Sequence, residues 1–500
     1  PRRRVAGLVV AFAAVFAASA LLFVVVPKEL APDEDRGSFF VNVQGPEGAG
    51  FDYTVAQMQQ VEEKLFAYLG PDGPIERVNT RVPGGFGASE EMHTGFAIVI
   101  LKDWSERSMD TGEVIDRVRA DLAQVPGVRA LAQGRGGGLG GGRGQPLQFV
   151  LGGPNYEELT EWRDRMLARI EENPGIFAAD SDYKETRPQI RIDIDRVRAA
   201  DLGVSVQEIG RTLETMMGSR RVTTYVEDGE EYDVVLQAQD QFRSGPADLA
   251  NIYVRSERTG QLVPLANLVT LGELAEPGSF NRFNRLRAIT ISANLAAGYT
   301  LGEALDWVER TVREELPDHA QLDYKGQSRE FIKSSGGVVF TFAMALLVVY
   351  LVLAAQFESF IHPVVIMFTV PMAVLGALVG LWITGGTLNL FSQIGIVMLV
   401  GLAAKNGILM VEFANQLRDD GMSVADAVVE AAGVRMRPIL MTSIATMAGA
   451  IPLVLAGGPG SASRATIGVV VIAGVAFSTF LSLYVIHAFY SLLSPYTRSP

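Results

Sequence analysis

The chain has no cysteine among its 500 residues, which excludes a disulfide framework, a thiolate metal site and a cysteine nucleophile. Only four histidines occur, His93, His319, His362 and His487. They are scattered without metal-ligand spacing, so neither a metal centre nor an enzyme active site is expected from them. No G-x-x-x-x-G-K-S/T phosphate loop is present, and pumping driven by ATP would need a separate motor. Basic excess is also missing: 43 Lys and Arg stand against 56 Asp and Glu, a net charge of −13, which argues against a nucleic-acid partner. Charge of either sign is scarce at one end, where residues 335–500 hold six basic and six acidic residues.

What is present is apolar length. The hydrophobic share is 48%, and a hydrocarbon core of roughly 30 Å is crossed by about 20 such residues in a helix. Uncharged or nearly uncharged runs at Val5–Val26, Gly336–Ala355, Ile361–Thr384, Leu388–Phe413, Pro438–Ala456 and Ala465 to about Leu493 predict six spans, one alone and five bunched. Arg2, Arg3 and Arg4 before the first run place its start in the cytoplasm by the positive-inside rule, with Arg418, Arg435 and Arg437 then falling on the same side. A cleaved signal peptide is the rival for Val5–Val26, but the run is longer than a 7–15-residue apolar region and Lys28-Glu29-Leu30 is a poor cleavage site.

The acidic block between the first and second runs alternates strand and helix signals. Strands are expected at Gly37–Val43, Phe96–Leu101, Leu147–Leu151, around the alternating Ile190, Ile192 and Ile194, and at Ala288–Ala293 and Gln321–Tyr324. A capping box at Thr54-Val-Ala-Gln57 and a cap at Ser205-Val-Gln-Glu208 predict helix starts, another helix is expected from Thr300-Leu-Gly-Glu303, and Glu227-Asp-Gly-Glu230 predicts a hairpin turn. Helices are also expected at Met109–Leu122 and Glu157–Ile170. The fold class is therefore an α+β membrane protein, with small split-βαβ modules and an inserted subdomain outside the membrane. Gly134–Gly144 lacks any phosphate-loop pattern and reads as a surface loop, and Pro83-Gly-Gly-Phe-Gly87 reads as a turn.

Lys405, in Gly401-Leu-Ala-Ala-Lys-Asn-Gly-Ile-Leu409, is a permanent charge far from either end of its span. An ammonium there costs about 3 kcal/mol or more unless paired or hydrated, which makes it a proton- or ion-relay candidate. No aspartate or glutamate lies deep in any span of the chain. Glu412 shares its helical face about 10 Å along the axis but sits near the boundary. Thr442 and Arg435 extend a polar path, each with a plain alternative: a hydroxyl bonding its own helix, and an ordinary positive-inside arginine.

Phe357-Glu-Ser-Phe-Ile-His-Pro363, Gly401 through Phe413 and Arg435-Met-Arg-Pro-Ile-Leu-Met-Thr-Ser443 resemble the resistance-nodulation-division efflux transporters. Pro32-Asp-Glu-Asp35, Leu101-Lys-Asp-Trp104 and Gly326-Gln-Ser-Arg-Glu330 are similar to the hydrophobe/amphiphile branch, the branch of the AcrB and MexB pumps. The resemblance runs over nearly the whole chain but covers only the C-terminal half of that family's usual polypeptide. It implies a first transmembrane helix at 5–26, porter subdomain 1 at 27–145, porter subdomain 2 at 146–188 and 285–334, a docking subdomain at 189–284, and a five-helix bundle at 335–493. It further implies a proton-driven exporter of amphiphilic small molecules in a bacterial inner membrane. Such an exporter is a secondary active transporter with no cofactor beyond the coupling protons. Lys405 matches the family's relay lysine, and Arg435 and Thr442 match its partners. The paired aspartates belong to the N-terminal half, a required partner here. Gly85, Phe86 and Gly87 fall where the family has a switch loop beside its substrate pocket, with Phe96 and Ile98 near by; this chain offers only Phe86 where the family often has two phenylalanines. The implied assembly is a homotrimer with a periplasmic adaptor and an outer-membrane channel. The alternatives are a non-transporting membrane protein of related fold, such as a lipid-sensing or assembly factor, and a half-size protein that assembles with a partner half.

Overall fold

Helix α1 (Arg2–Val25) begins the computed structural model, which describes residues 2–32, 34–85, 91–134, 144–296 and 298–493. Most of the expected loop at Gly134–Gly144 lies outside them. The chain then forms β1 (Ser38–Gln44), α2 (Phe51–Phe66), β2 (Ile75–Arg81), β3 (Thr94–Leu101), α3 (Thr111–Leu122) and β4 (Arg129–Gly134). The four strands make one antiparallel sheet in the order β2-β3-β1-β4. Because side chains alternate across a strand, Phe39, Val41 and Val43 of β1 and Ala97, Val99 and Leu101 of β3 turn to one face. There they bury against Met58, Val61 and Leu65 of α2 and Val114, Ile115, Val118 and Leu122 of α3. Phe40, Phe96 and Ile98 are set on the opposite face by the same alternation.

The start of α3 follows the sequence: Asp110 accepts from the Glu113 N–H while Glu113 reaches back, a full capping box. The start of α2 does not. The box expected at Thr54 is absent, and the helix begins four residues earlier, with Gly50 rather than Thr54 at its N-cap. Thr54 is buried inside it and its hydroxyl donates to the Gly50 carbonyl at 3.0 Å. A threonine facing a core satisfies its hydroxyl most directly on the carbonyl four residues back.

Before β1, Asp35 gathers four donors: Arg107 at 2.5 Å, the Thr111 hydroxyl at 2.5 Å and N–H at 3.2 Å, and the Gly37 N–H at 3.1 Å. Burial alone would raise this carboxyl, but the hydrogen bonds from Arg107, Thr111 and Gly37 and the Arg107 charge outweigh it and hold it at about 2. A carboxyl lowered on folding adds stability above its unfolded value near 3.8 and loses it as pH falls toward 2. Asp35→Asn is expected to lower the unfolding temperature at neutral pH and to abolish this acid-dependent loss. Arg107→Ala, which leaves Asp35 part-buried without its cation, should cost about 2–4 kcal/mol. Thermal melts of each variant between neutral and strongly acid pH check both.

A second module repeats the plan, with β5 (Leu147–Gly153), α4 (Tyr156–Glu171) and β6 (Ile176–Ser181) before an insertion. The insertion, Tyr183–Ser279, is a compact unit of its own. It contains β7 (Arg187–Ile194), α5 (Arg196–Asp201), α6 (Val206–Met217), β8 (Arg220–Glu227), β9 (Glu230–Leu236), β10 (Tyr253–Arg255), β11 (Leu262–Pro264) and β12 (Val269–Glu276). Its core joins Ala199, Val204, Ile209, Leu249, Ile252, Val254, Leu265 and Leu268. Ser205 caps α6 through the Glu208 N–H at 3.2 Å. Asp228 and Gly229 both take positive φ, 52° and 83°, the two-residue turn whose twist matches a hairpin. The chain resumes the second sheet with β13 (Arg282–Phe283) and β14 (Leu286–Leu295), then adds α7 (Leu301–Glu315), capped by Thr300 and Glu303, and β15 (Gln321–Tyr324). With β6 on β14 and β15 on β5, the strand order matches that of the first module.

Helix α8 (Gly326–Phe357) leads into α9 (Ile361–Met367), α10 (Val370–Thr384), α11 (Leu390–Asp419), α12 (Val424–Leu455) and α13 (Ser461–Leu493). Among the described residues, five spans are long and apolar enough to cross a membrane: Phe340–Phe357, Ile361–Thr384, Leu390–Asp419, Val424–Leu455 and Ser461–Ser482. In α1 the apolar stretch Phe12–Val25 is shorter than these. Ile361–Thr384 is interrupted between α9 and α10, just before Pro371, which cannot donate a helix hydrogen bond. The polar stretch after Asp420 is already helical from Val424, capped by Ser423. The connection expected to run from Arg418 to Arg437 is thus a short loop.

Helix α13 packs against α10, α11 and α12, and glycines let it come close. A methyl added at Gly376 or Gly380 of α10 would overlap Phe477 or Ala473 of α13, and one at Gly395 of α11 would overlap Val470. This is small-residue packing, which replaces hydrophobic drive where the surroundings are lipid. The segment after α1 is tied to the foot of α11: the Leu388 N–H donates to the Pro27 carbonyl at 2.8 Å and the Leu390 N–H to the Leu30 carbonyl at 3.2 Å.

Candidate functional site

Two groups of residues were singled out by sequence, and the structure treats them differently. In the first, α11 carries Lys405 on an exposed face of the bundle. Among the described residues it has no ion pair and no hydrogen bond. Glu412, two turns on, is also exposed and accepts from Gln416 at 3.3 Å. Arg435 comes from α12 to α11, but at Phe413, with its guanidinium carbon 4.4 Å from the ring centre, a cation–π contact. Eight residues separate Phe413 from Lys405 along α11, about 12 Å by helical rise, so the arginine and the lysine are not brought together. The Thr442 hydroxyl donates to the Ile439 carbonyl of its own helix at 3.2 Å. Among the described residues, no hydrogen bond or ion pair joins any two of the three.

Directly behind Lys405 and Thr442 lies a polar cluster that sequence reading missed. Asn406, Ser443 and Thr479 are each 4% exposed. The Asn406 amide donates to the Thr479 hydroxyl at 3.1 Å, and that hydroxyl donates to Ser443 at 2.8 Å. The signal available beforehand was weak: a polar residue next to each relay candidate and a threonine in an otherwise apolar span. A further cluster caps the other end of α11, where His362 stacks on Tyr490 with ring centres 5.8 Å apart and the Tyr490 hydroxyl donates to Asn415 at 2.5 Å.

The second group sits on the helix-free face of the first sheet. Phe96 is buried, with its ring 5.3 Å from that of Phe40. Ile98 is half-buried and pairs in register with Phe40 on one side and Asn79 on the other. The chain leaving β2 is held at the start of β3, the Gly84 N–H donating to the Thr94 carbonyl at 2.9 Å. A methyl at Gly84 would press on the Gly95 carbonyl carbon at 2.8 Å, so glycine is required for this approach. Gly85 follows directly, past the end of β2 at Arg81. Phe86 and Gly87 lie outside the described residues. No cluster of metal-binding side chains occurs among the described residues.

The sequence pattern of the AcrB/AcrD/AcrF family matches residues 2–494. The chain belongs to this family. Within it, the chain is 32% identical over 493 residues to an uncharacterized transporter of Haemophilus influenzae, covering 97% of this chain and 47% of the relative. It is 31% identical over 490 residues to the multidrug/solvent efflux pump membrane transporter MepB of Pseudomonas putida, covering 97% and 46%. The same identity and coverage hold for the probable efflux pump membrane transporter TtgB of Pseudomonas putida. The chain spans about half the length of these relatives. Family membership and the five apolar helices make it a multi-pass membrane protein.

Proposed function

We propose that the chain is the C-terminal half of a proton-driven exporter of amphiphilic small molecules in a bacterial inner membrane. The observation that carries this reading is Lys405, a charge in a membrane helix with no acidic partner among the described residues, on a face of α11 that points out of the bundle. A charge so placed calls for a counter-charge from another polypeptide segment. The paired aspartates of an N-terminal half supply it in this reading. Proton binding to the aspartates then frees them from the lysine, and the helix shifts that follow drive export. Arg435 and Thr442 extend the polar path toward the cytoplasm. The modules and the insertion stand in the periplasm in this reading, working with a periplasmic adaptor and an outer-membrane channel. Assembly as a homotrimer belongs to the same reading; the exposed Val226, Val235 and Leu236 of the otherwise charged β8–β9 hairpin are apolar surface that a neighbouring protomer would cover.

Substrate contact is assigned to Phe96, Ile98 and the segment from Gly85 through Phe86 and Gly87. Phe96→Ala is expected to reduce export of aromatic amphiphiles about 3–10-fold, the effect of losing one aromatic contact. Ile98→Phe should shift preference toward larger aromatic compounds. Both are read from the drug susceptibility of cells carrying the full-length transporter. The reading as a whole is tested by reconstituting that transporter in proteoliposomes and imposing a pH gradient. Export that rises with the gradient, with matching proton uptake, is expected. Export indifferent to the gradient overturns the proton coupling, and no export of any amphiphile overturns the reading in favour of a non-transporting member of the family.

A further inference from the structure

Two adjacent pairs of residues share one design. Lys405 and Asn406 stand side by side on α11, and Thr442 and Ser443 on α12. In each pair the second residue is buried in the bundle, and both buried members meet the same hydroxyl, that of Thr479 on α13. Thr479 accepts from the Asn406 amide and donates to Ser443, while its carbonyl accepts from Ser482 at 3.1 Å. In a membrane none of these groups has water to turn to, so each depends on the others.

Resting on the relay reading of Lys405, we propose that Thr479 is a positioning residue: its hydroxyl clamps α11 to α12 and so fixes the directions in which Lys405 and Thr442 leave the bundle. Successive residues on a helix are about 100° apart, so holding Asn406 against Thr479 sets the azimuth of Lys405, and holding Ser443 sets that of Thr442. The role needs a group that accepts and donates at once. A hydroxyl does both, and valine, of nearly the same shape, does neither. Serine keeps the chemistry.

The absence of cysteine from the chain permits a direct test. In the full-length transporter, with any cysteines outside this chain replaced, Lys405→Cys is labelled with a maleimide in proteoliposomes. Adding Thr479→Val, which removes both bonds, is expected to change the labelling rate by at least about fivefold, the population shift from the net worth of a single hydrogen bond. Thr479→Ser should leave the rate within about twofold. An unchanged rate with Thr479→Val overturns the clamp. Should the valine variant fail to fold, Ser443→Ala, read from the labelling of Thr442→Cys, decides the same question in the same way. Export driven by a pH gradient, measured for Lys405→Ala and for Thr479→Val without the added cysteine, separates the two claims. If labelling responds while both variants export normally, the clamp stands and the relay reading of Lys405 falls. If Lys405→Ala stops export while Thr479→Val changes neither labelling nor export, the relay stands and the clamp falls.

Discussion

Lys405→Ala in the full-length transporter is expected to lower proton-driven export by at least about 100-fold, the scale at which removing a proton-transfer group acts. The fold should be retained, with the aspartates of the other half, left without their cation, held protonated instead. The lysine makes no hydrogen bond or ion pair with the described residues of its own chain, so its removal orphans no group there. Lys405→Arg is expected to fail almost as fully, because a guanidinium is larger, planar and effectively never deprotonated. The measurement is uptake of a fluorescent amphiphile into inverted vesicles under an imposed pH gradient, with protein level and melting temperature determined in parallel. Loss of export with an intact melt supports the relay. Gradient-driven export that survives in Lys405→Ala removes Lys405 from the mechanism.

Gly380→Leu is expected to do the opposite, abolishing the fold before any question of transport arises. A side chain at Gly380 overlaps the Ala473 Cβ, and one at Gly376 meets the Phe477 Cβ and the Ala473 carbonyl. Neither a Cβ nor a backbone carbonyl can swing aside, so α10 and α13 must separate. Overpacking typically costs about 1–3 kcal/mol, and a whole leucine against rigid neighbours belongs at or beyond the top of that range. Since α13 also carries Thr479 and touches α11 and α12, the loss spreads to the relay helices. Gly380→Ala should be milder, and Gly401→Leu, whose added Cβ meets nothing within 4 Å, should be tolerated in this chain. Size-exclusion profiles and melting temperatures of detergent-solubilised protein rank the three.

The central strands of both modules were legible because a strand with neighbours on both sides is apolar: β1, β3, β5 and β14 all announce themselves. The strands β2, β4 and β6 did not. Each lies at a sheet edge, where one flank is free and a polar sequence such as Ile-Glu-Arg-Val-Asn-Thr-Arg is accommodated. Capping signals located α6 and α7 but misplaced α2, because the Thr54 hydroxyl serves its own helix once it faces the core. At the site, the lysine was legible from the cost of its charge alone. The Asn406–Thr479–Ser443 cluster was not, since it joins residues up to 73 positions apart, and single polar residues in apolar spans carry no record of which neighbours they meet.

By itself the sequence determined the division into an acidic block and an apolar bundle, the chemistry of each segment, and the lack of any acidic residue deep in a span to balance Lys405. These follow from composition and periodicity, which are local properties. The tertiary structure decided which faces those segments share. It set Phe96 and Ile98 on the helix-free side of a sheet, turned Lys405 outward and Asn406 inward, sent Arg435 to Phe413 rather than to the lysine, and made α13 the helix that the others close upon. Such facts depend on which side chains meet across long stretches of chain. Packing fixes them, through glycine contacts and hydrogen bonds that no local pattern encodes.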